Sequence, residues 1–335
     1  MTSRQDQQVV VITGASAGIG RAVACEFARH GACIGLLARS QARLQQTCAE
    51  VEALGGRGLA LVVDVADAGQ VEAAATQVEA ALGPIDIWIN SAMVTVFAPV
   101  HRMDPGEYRR VTEVTYLGTV HGTLAALRHM RPRGRGVIVQ VGSALAYRSI
   151  PLQSAYCAAK FAARGFTDSL RVELLHEKSD IHLTMVQLSA FNTPQFDWAR
   201  NKMRQRAQPV PPIFQPELAA RGIRHASQVR RREICVGFPA VKAIWGNKFW
   251  PQLADRVLAR QGWEGQTTGE ALPPDRPDNL HTTVEGEFGA HGRFDDRARA
   301  SSLQLSWTLH RTRFGLIGAL MLAVAAVLLW WVAWS

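Results

Sequence analysis

Short apolar runs alternate with longer amphipathic stretches along the first 190 residues of the chain. The runs, which are rich in β-branched residues and predict buried strands, occupy 9–13, 33–38, 58–65, 85–92, 136–143 and 181–189. The stretches with helical spacing lie at 21–31, 42–56, 67–82, 108–130 and 155–175. Such regular alternation predicts an α/β fold, a doubly wound parallel sheet with helices on both faces.

The alternation weakens after residue 191. The segment 209–216 reads as a proline-rich loop, and residues 262–300 are rich in Gly, Pro, Asp and His with little periodicity. That composition predicts a poorly ordered or loosely packed linker. The simplest organisation is an α/β domain, a connecting extension and a terminal segment, at 1–240, 241–310 and 311–335.

The stretch 314–334, "FGLIGALMLAVAAVLLWWVAW", carries no charged residue. As a helix it would extend roughly 31 Å, the thickness of the hydrocarbon core of a bilayer. Arg311 and Arg313 precede it and no charged residue follows, so the positive-inside tendency places the N-terminal body on the cytoplasmic side. We therefore expect a single-pass C-terminal membrane anchor; the alternative, a buried core helix, would rarely lack polar residues over this length.

Composition adds two constraints. The five cysteines include no C-x-x-C pair, and the first eight residues are polar. Neither disulfides nor a metal site is expected, and the absence of a secretory signal fits a reducing compartment. The net charge of +9 fits anionic lipid or nucleic acid, but the basic residues are not interleaved with stacking aromatics, which disfavours nucleic acid.

A glycine-rich turn, "TGASAGIG" at 13–20, joins the first predicted strand to the first helix. Glycines at such a turn let the backbone approach a pyrophosphate, and the helix N-terminus offers free N–H groups. The spacing G-x-x-x-G-x-G differs from the commoner G-x-G-x-x-G, and a glycine triplet alone also fits an ordinary tight turn. Its place in a strand–turn–helix unit predicts nucleotide binding.

The end of the second predicted strand, "LLARS" at 36–40, indicates which dinucleotide binds. An acidic residue there would bind the ribose 2′-OH of NAD, and none is present. Arg39 could instead pair with a 2′-phosphate, which favours NADP over NAD. The alternative is a solvated surface arginine.

Two further strand ends carry candidate cofactor contacts. Asp64 and Val65 close the third strand, where an adenine would lie, and Asn90, Ser91 and Ala92 close the fourth. Doubly wound sheets bind ligands at the carboxyl ends of their strands, so these residues are expected to line one cleft.

Tyr156 and Lys160 lie four residues apart on a predicted helix, and Ser143 ends the strand before it. Reduction of a carbonyl needs a proton for its oxygen, and a free tyrosine with a pKa near ~10 exchanges protons poorly at neutral pH. A neighbouring ammonium and a positively charged nicotinamide would lower that pKa, while a serine hydroxyl holds the oxygen. A Tyr-x-x-x-Lys pair alone more often marks a helix surface; with Ser143 and the glycine turn it predicts catalysis.

Over residues 8–195 the chain resembles the short-chain dehydrogenases/reductases. The motifs that carry the resemblance are TGASAGIG (13–20), DV (64–65), NSA (90–92), Ser143, YCAAK (156–160) and Thr193. The resemblance implies a Rossmann fold in which Tyr156 is the general acid/base. Lys160 would lower the pKa of Tyr156 and bind the nicotinamide ribose, and Ser143 would orient the substrate carbonyl.

The resemblance also implies a set of cofactor contacts and an assembly. Thr193 would touch the nicotinamide carboxamide or the phosphates, and the long helices would form a homodimer or homotetramer. The residues that would hold the dinucleotide at the turn are Gly14, Ser16, Gly18, Ile19 and Gly20.

The chain departs from the family pattern at three places. Asn90 to Met93 stand where the family has N-N-A-G, and Leu188-Ser189 stand where it has P-G. Thr115, three residues before Gly118, occupies the place of a catalytic asparagine in N-x-x-G. That asparagine binds a water linked to the lysine, and a threonine hydroxyl could bind such a water, so Thr115 joins the expected catalytic set.

These features together predict an NADP-dependent oxidoreductase that acts on a carbonyl or secondary alcohol. Aromatic residues after Thr193, among them Phe196 and Trp198, and the anchor at 314–334 favour a lipophilic substrate at the membrane. The basic stretch 200–242 could lie near anionic headgroups or form a solvated face. The alternative function is a membrane-tethered NADP-binding sensor or assembly protein with little catalysis, which Thr115 keeps open.

Overall fold

A seven-stranded parallel sheet forms the centre of the protein, whose computed structural model describes residues 7–311. Its strands are β1 (Val9–Thr13), β2 (Cys33–Ala38), β3 (Arg57–Val62), β4 (Ile87–Asn90), β5 (Arg135–Val141), β6 (Asp180–Leu188) and β7 (Glu233–Val236). Their order across the sheet is β7-β6-β5-β4-β1-β2-β3. All neighbours run parallel, and the direction of winding reverses between β1 and β4. The predicted Rossmann-type fold is therefore confirmed.

Eleven α-helices surround the sheet and its C-terminal edge in residues 7–311. They are α1 (Gly18–Ala28), α2 (Gln41–Ala53), α3 (Ala68–Leu82), α4 (Pro105–Val111), α5 (Gly118–Met130), α6 (Ser154–His176), α7 (Gln195–Trp198), α8 (Pro216–Gln228), α9 (Phe238–Phe249), α10 (Pro251–Gln261) and α11 (Leu303–Leu309). The helix predicted over 108–130 is interrupted by a π-helical turn, Thr112–Leu117, between α4 and α5. This turn contains Thr115.

Shorter elements complete the described chain. Two-residue strands pair Val96–Phe97 with Arg200–Asn201 and Ala190–Phe191 with Ile213–Phe214. Short 3₁₀ turns lie at Val100–Arg102, Arg131–Arg133, Ala144–Ala146 and Glu264–Gln266.

The sheet is buried on both faces because helices cover each of them. Val10 and Ile12 of β1 face one apolar layer, which includes residues of α1 and α8. Val9 and Val11 face the other, which includes residues of α3, α5 and α6. Successive side chains of a strand point to opposite faces, so a run such as VVVIT needs an apolar partner on each side.

The region after residue 236 packs against the body. Thr267–Ala271 pairs antiparallel with Gln205–Ala207, and Leu280 and Phe294 are only 0% and 2% exposed. The sequence predicts a loosely packed linker over 262–300, and the structure differs from that expectation. The physical reason is that arginines of the body bind the main chain of this segment, as described below, so it needs little apolar periodicity of its own.

The expected membrane anchor, 314–334, lies outside the described residues. Within residues 7–311, no helix is both long and apolar enough to cross a membrane.

A core substitution tests whether the extension is packed as described. Leu280 is 0% exposed within the apolar layer beneath α3 and α5. Leu280→Ala should therefore lower the free energy of unfolding by about 2–5 kcal/mol, because a cavity remains. Urea unfolding of the full chain in detergent measures this change.

The matched control is Val100→Ala, at a side chain that is 65% exposed. It should change the free energy of unfolding by no more than roughly 0.5 kcal/mol. If Leu280→Ala had as small an effect, the extension would not be part of the core.

Candidate active site

One cavity of about 490 Å³ opens at the carboxyl ends of β1, β4 and β5. The glycine turn lines one end of this cavity, and Ser143, Tyr156 and Lys160 line its middle. Ligands of doubly wound sheets bind at this edge, beside the point where the strand order reverses. The structure thus brings the two predicted motifs together in one site. Most of the predicted site residues line this cavity: Gly14, Ser16, Gly18, Ile19, Gly20, Arg39, Asp64, Val65, Ala92, Ser143, Tyr156, Lys160 and Thr193.

The glycine turn forms a backbone cradle that side chains would fill. Gly14 has a φ of +71°, and a Cβ there would lie 2.8 Å from the Cα of Ala92. A Cβ on Gly20 would lie 2.2 Å from the carbonyl oxygen of Gly14. The N–H groups in the first turn of α1 have no acceptor within the helix, and that of Gly18 donates to the carbonyl oxygen of Gly289 at 3.0 Å. Because a pyrophosphate needs such close backbone donors, the residues present fit a dinucleotide.

Thr13 joins the ends of β1 and β4 beneath this cradle. Its Oγ1 accepts hydrogen bonds from the backbone N–H groups of Ser91 and Ala92, at 3.0 and 3.1 Å. These bonds hold the residues after β4 against the glycine turn, so that Ala92 forms part of the cavity wall.

Asn90 has a different position from the one expected of a cofactor-binding side chain. It is 4% exposed, and its amide nitrogen donates to Thr123 Oγ1 at 3.1 Å and to Gln140 Oε1 at 2.9 Å. Its amide oxygen accepts from Trp88 Nε1 at 2.8 Å. The side chain therefore lies in a buried polar network below the cavity and fixes the end of β4.

Lys160 is buried beside Tyr156, one helical turn away on α6. Its Nζ donates to the carbonyl oxygen of Val141 at 2.7 Å and lies 5.6 Å from the centroid of the Tyr156 ring. Burial lowers the pKa of Lys160 to about 8. The ammonium form is therefore still favoured at neutral pH, and the Val141 carbonyl holds it in place.

Tyr156 keeps its proton in this environment. Burial raises the pKa of Tyr156, and a hydrogen bond from Ser143 lowers it by less. The resemblance implies that Lys160 lowers this pKa, but the loss of water around the phenol dominates in the protein alone. A protonated tyrosine beside a serine hydroxyl can donate a proton to a carbonyl oxygen.

Thr115 lies beneath the cavity wall rather than on it. Its side chain is 0% exposed, and its Oγ1 donates to the carbonyl oxygen of Val94 at 3.0 Å and accepts from the N–H of Val94 at 3.1 Å. The single hydroxyl proton is thus engaged by Val94, which itself lines the cavity. Thr115 thus contacts the loop after β4, where it is placed to position Val94, and its expected catalytic role stays a prediction.

Arg39 lies at the cavity as predicted, but main-chain carbonyls surround its guanidinium. Nη2 donates to the carbonyl oxygen of Asn279 at 2.6 Å, and Nη1 donates to that of His281 at 3.1 Å. Burial lowers its pKa, and the carboxylate of Asp64 opposes that change. The C-terminal extension therefore reaches the site at the end expected for adenosine.

Residues 276–292, which we call the strap, cross this end of the cavity. Asn279 and Thr283 of the strap line the cavity. Besides Arg39, three arginines of the body donate to strap carbonyls: Arg21 to Phe288 at 3.0 Å, Arg43 to Val284 at 2.5 Å and Arg110 to Leu280 at 3.1 Å. The strap was missed by sequence reasoning because main-chain carbonyls leave no signal in the sequence.

The end of the cavity away from the strap is mostly apolar. Residues that line it there include Leu145, Ile150, Val210, Ala243, Val257 and Leu258. Two of the helices in this wall, α9 and α10, come from the extension. The polar side chains of Arg148, Gln153 and Gln261 also line the cavity.

The features of this site and comparison with known proteins together identify the protein family of this chain. A profile described as short chain dehydrogenase matches residues 8–204. This chain belongs to that family and is an oxidoreductase of it.

Curated relatives differ in how much of the chain they match. An uncharacterized oxidoreductase of Bacillus subtilis, YxnA, is 28% identical over 330 residues, which cover 98% of this chain and 90% of that protein. A 3-dehydrosphinganine reductase of Danio rerio is 35% identical over 192 residues, or 56% of this chain and 57% of its own length. The extension thus has a counterpart in the bacterial relative, whereas the second match spans only about half of each protein.

A solved structure agrees with the site. An alcohol dehydrogenase from the archaeon Thermococcus sibiricus, complexed with 5-hydroxy-NADP, superposes with a TM-score of 0.60. It is 26% identical in sequence, and the match covers 69% of this chain and 96% of that one. The cradle and this likeness together support a nicotinamide cofactor.

Substitution of Thr115 tests its positioning role. Thr115→Val leaves the buried N–H and carbonyl of Val94 without partners, which should lower the free energy of unfolding by about 1–3 kcal/mol. It should also raise the Kd for the cofactor, because Val94 lines the cavity. Thr115→Ser keeps the hydroxyl and should retain most of the affinity. Equal behaviour of the two variants in chemical unfolding and in cofactor titration would contradict this role.

Proposed function

We propose that this protein is an NADP-dependent reductase or dehydrogenase that interconverts a lipophilic carbonyl compound and its secondary alcohol. One observation carries the proposal: Ser143, Tyr156 and Lys160 meet in a cavity with a glycine cradle at one end and an apolar wall at the other. The cradle suits a dinucleotide, and the wall suits a hydrocarbon substituent of the substrate.

Each catalytic side chain has a role that its surroundings support. The Ser143 hydroxyl holds the carbonyl oxygen, and the protonated Tyr156 hydroxyl donates its proton to that oxygen during reduction. Lys160, held by Val141, keeps a positive charge near the phenolate that remains. The nicotinamide, when bound, supplies the hydride for reduction or accepts it for oxidation.

The residues proposed to contact the cofactor line the cavity. The cradle residues Gly14, Ser16, Gly18, Ile19 and Gly20 would hold the pyrophosphate, and Thr193 would touch the nicotinamide end. Arg39 supports NADP over NAD, because a guanidinium has five N–H donors and the strap carbonyls leave some for a 2′-phosphate.

A lipophilic substrate at a membrane is supported by three observations. The cavity wall beside Tyr156 is apolar, and the relative named 3-dehydrosphinganine reductase acts on a lipid-like ketone. The third is the charge-free stretch 314–334, which we propose as a single-pass anchor that keeps the body, residues 1–240, and its extension on the cytoplasmic side.

A homodimer or homotetramer is proposed through the long helices. Val172 and Leu175 on α6 are 65% and 70% exposed, so this helix presents apolar side chains that a second copy would cover.

Thr115 supports a second candidate, an NADP-binding protein with little catalysis. Because Val94 takes its hydroxyl proton, Thr115 lacks the donor that would hold a water in the proton relay. Measured turnover distinguishes the two functions.

Removal of the Tyr156 hydroxyl tests the enzymatic proposal. Tyr156→Phe should lower the rate of NADPH consumption by about 10²–10⁴-fold, because general acid catalysis is lost. NADPH binding should remain, since the cradle is untouched. The assay uses detergent-solubilised protein with long-chain, sterol-like and small polar carbonyls. Binding without turnover of any carbonyl by the natural protein would favour the sensor instead.

The choice of cofactor is tested at Arg39. Arg39→Met removes a charge-assisted hydrogen bond to the 2′-phosphate and should raise the Kd for NADPH about 10–100-fold, corresponding to roughly 1.5–3 kcal/mol. The Kd for NADH should change much less. The control is Arg21→Met, which also loosens the strap but lies outside the cavity wall. Equal losses for both dinucleotides in Arg39→Met would contradict a 2′-phosphate contact.

A further inference from the structure

The helix pair α9–α10 carries a large exposed apolar surface. We call this surface the docking face and define it by Phe238, Trp245, Phe249, Trp250, Leu253 and Val257, which are 62%, 53%, 58%, 64%, 56% and 44% exposed. The α9 members, Phe238, Trp245 and Phe249, follow a spacing of seven and four residues, Trp250 lies between the helices, and the α10 members Leu253 and Val257 are four residues apart, so the members of each helix share a face. Exposed apolar patches of this kind mark interaction sites.

Three aromatic rings of the docking face lie next to one another. The ring of Phe249 is stacked 5.8 Å from that of Trp245 and lies 5.8 Å from that of Trp250. Ordering these large side chains at the surface is unfavourable in water, so the arrangement suits a second, less polar medium.

Cations accompany these aromatic side chains along the two helices, and Lys248 Nζ lies 5.2 Å from the centroid of the Trp245 ring. Segment 238–261 contains Lys242, Lys248, Arg256 and Arg260 but a single acidic residue, Asp255. Asp255 is paired with Arg148 of the body at 2.6 Å, which leaves the cations in excess. Tryptophan together with lysine and arginine is typical of helices that lie in a bilayer interface, where cations meet anionic headgroups.

Helix α11, near the end of the described residues, begins close to the docking face. Gln304, at the start of α11, accepts a hydrogen bond from the N–H of Gly237, directly before α9, at 2.8 Å. Helix α11 therefore begins beside the N-terminal end of α9.

The inner side of the same helix pair forms part of the apolar wall of the cavity. Ala243 of α9 and Val257 and Leu258 of α10 line the cavity that contains Tyr156. Val257 belongs both to this wall and to the docking face, since it is 44% exposed. The cavity and the exposed surface are therefore separated by a single layer of side chains.

We propose that the docking face lies in the headgroup region of an anionic bilayer, so that apolar substrate reaches the cavity from the bilayer between α9 and α10. The substrate route rests on the proposed function, whereas the docking itself does not. A second copy of the chain fits less well, because a two-fold interface would bring Lys248 and its neighbouring cations against the same cations of the partner.

Hydrogen exchange of the full chain in nanodiscs tests the docking without any turnover. Discs that hold one chain each are prepared with phosphatidylcholine alone or with added phosphatidylserine. Peptides from 238–261 should exchange several-fold more slowly in the anionic discs, and high salt should reduce that difference. The double variant Phe249→Glu/Trp250→Glu should abolish it. The control variant Val62→Glu/Val100→Glu, at residues that are 56% and 65% exposed elsewhere, should preserve it.

Three results would overturn the docking proposal. They are equal exchange of 238–261 in the two kinds of disc, protection only in discs that hold two chains, and failure of the full chain to associate with either kind. Protection only with two chains would assign the face to contact between copies.

A kinetic comparison tests the substrate route separately. Phe249→Glu/Trp250→Glu should raise the KM for a bilayer-resident ketone several-fold and leave kcat and the kinetics of a water-soluble ketone unchanged. Equal effects on both ketones would overturn the route but leave the docking intact. Absence of turnover with any ketone, together with anionic-lipid protection, would instead refute the proposed function alone.

Discussion

The close approach of two backbone segments at the carboxyl edge of the sheet determines the rest of the site. The turn after β1 touches the residue after β4 so closely that a Cβ on Gly14 would overlap Ala92. Thr13 holds the two segments together through its hydroxyl. Gly18, Ile19 and Gly20 at the start of α1 line the cavity beside this contact, and the N–H of Gly18 donates to Gly289 of the strap. The cradle fixes where a dinucleotide can lie, and α6 and the strap are placed around that position.

The strap shows how a segment without apolar periodicity can be ordered. Its carbonyl oxygens accept hydrogen bonds from four arginines that belong to the α/β body, and Leu280 supplies a buried apolar contact. Arginine suits this task because one guanidinium can donate to several carbonyls. Arg39 thereby joins the cavity wall to the strap, so the proposed phosphate contact would link the affinity for the cofactor to the position of the extension.

Sequence reasoning succeeded where side-chain periodicity or a local motif carries the information. The first six strands are of this kind, and so is the placement of the glycine turn, Tyr156 and Lys160 at one cavity, whereas their roles stay predictions. It failed where a contact depends on distant main-chain atoms. Thr115 bonds to Val94, 21 residues away, and Arg39 bonds to carbonyls about 240 residues away. β7 was missed because the charged residues around it hide a short edge strand.

The family match ends at residue 204, and the features that distinguish this protein come after it. Segment 238–261 forms part of the apolar wall of the cavity that contains Tyr156, and the strap lies at the opposite end. The family core therefore contains Ser143, Tyr156 and Lys160, whereas the extension contributes much of the wall around them. Helices that present apolar side chains to a cavity do not also have to present them to the solvent. That α9 and α10 are apolar on both sides, with cations at the outer edge, is explained if the outer side meets lipid.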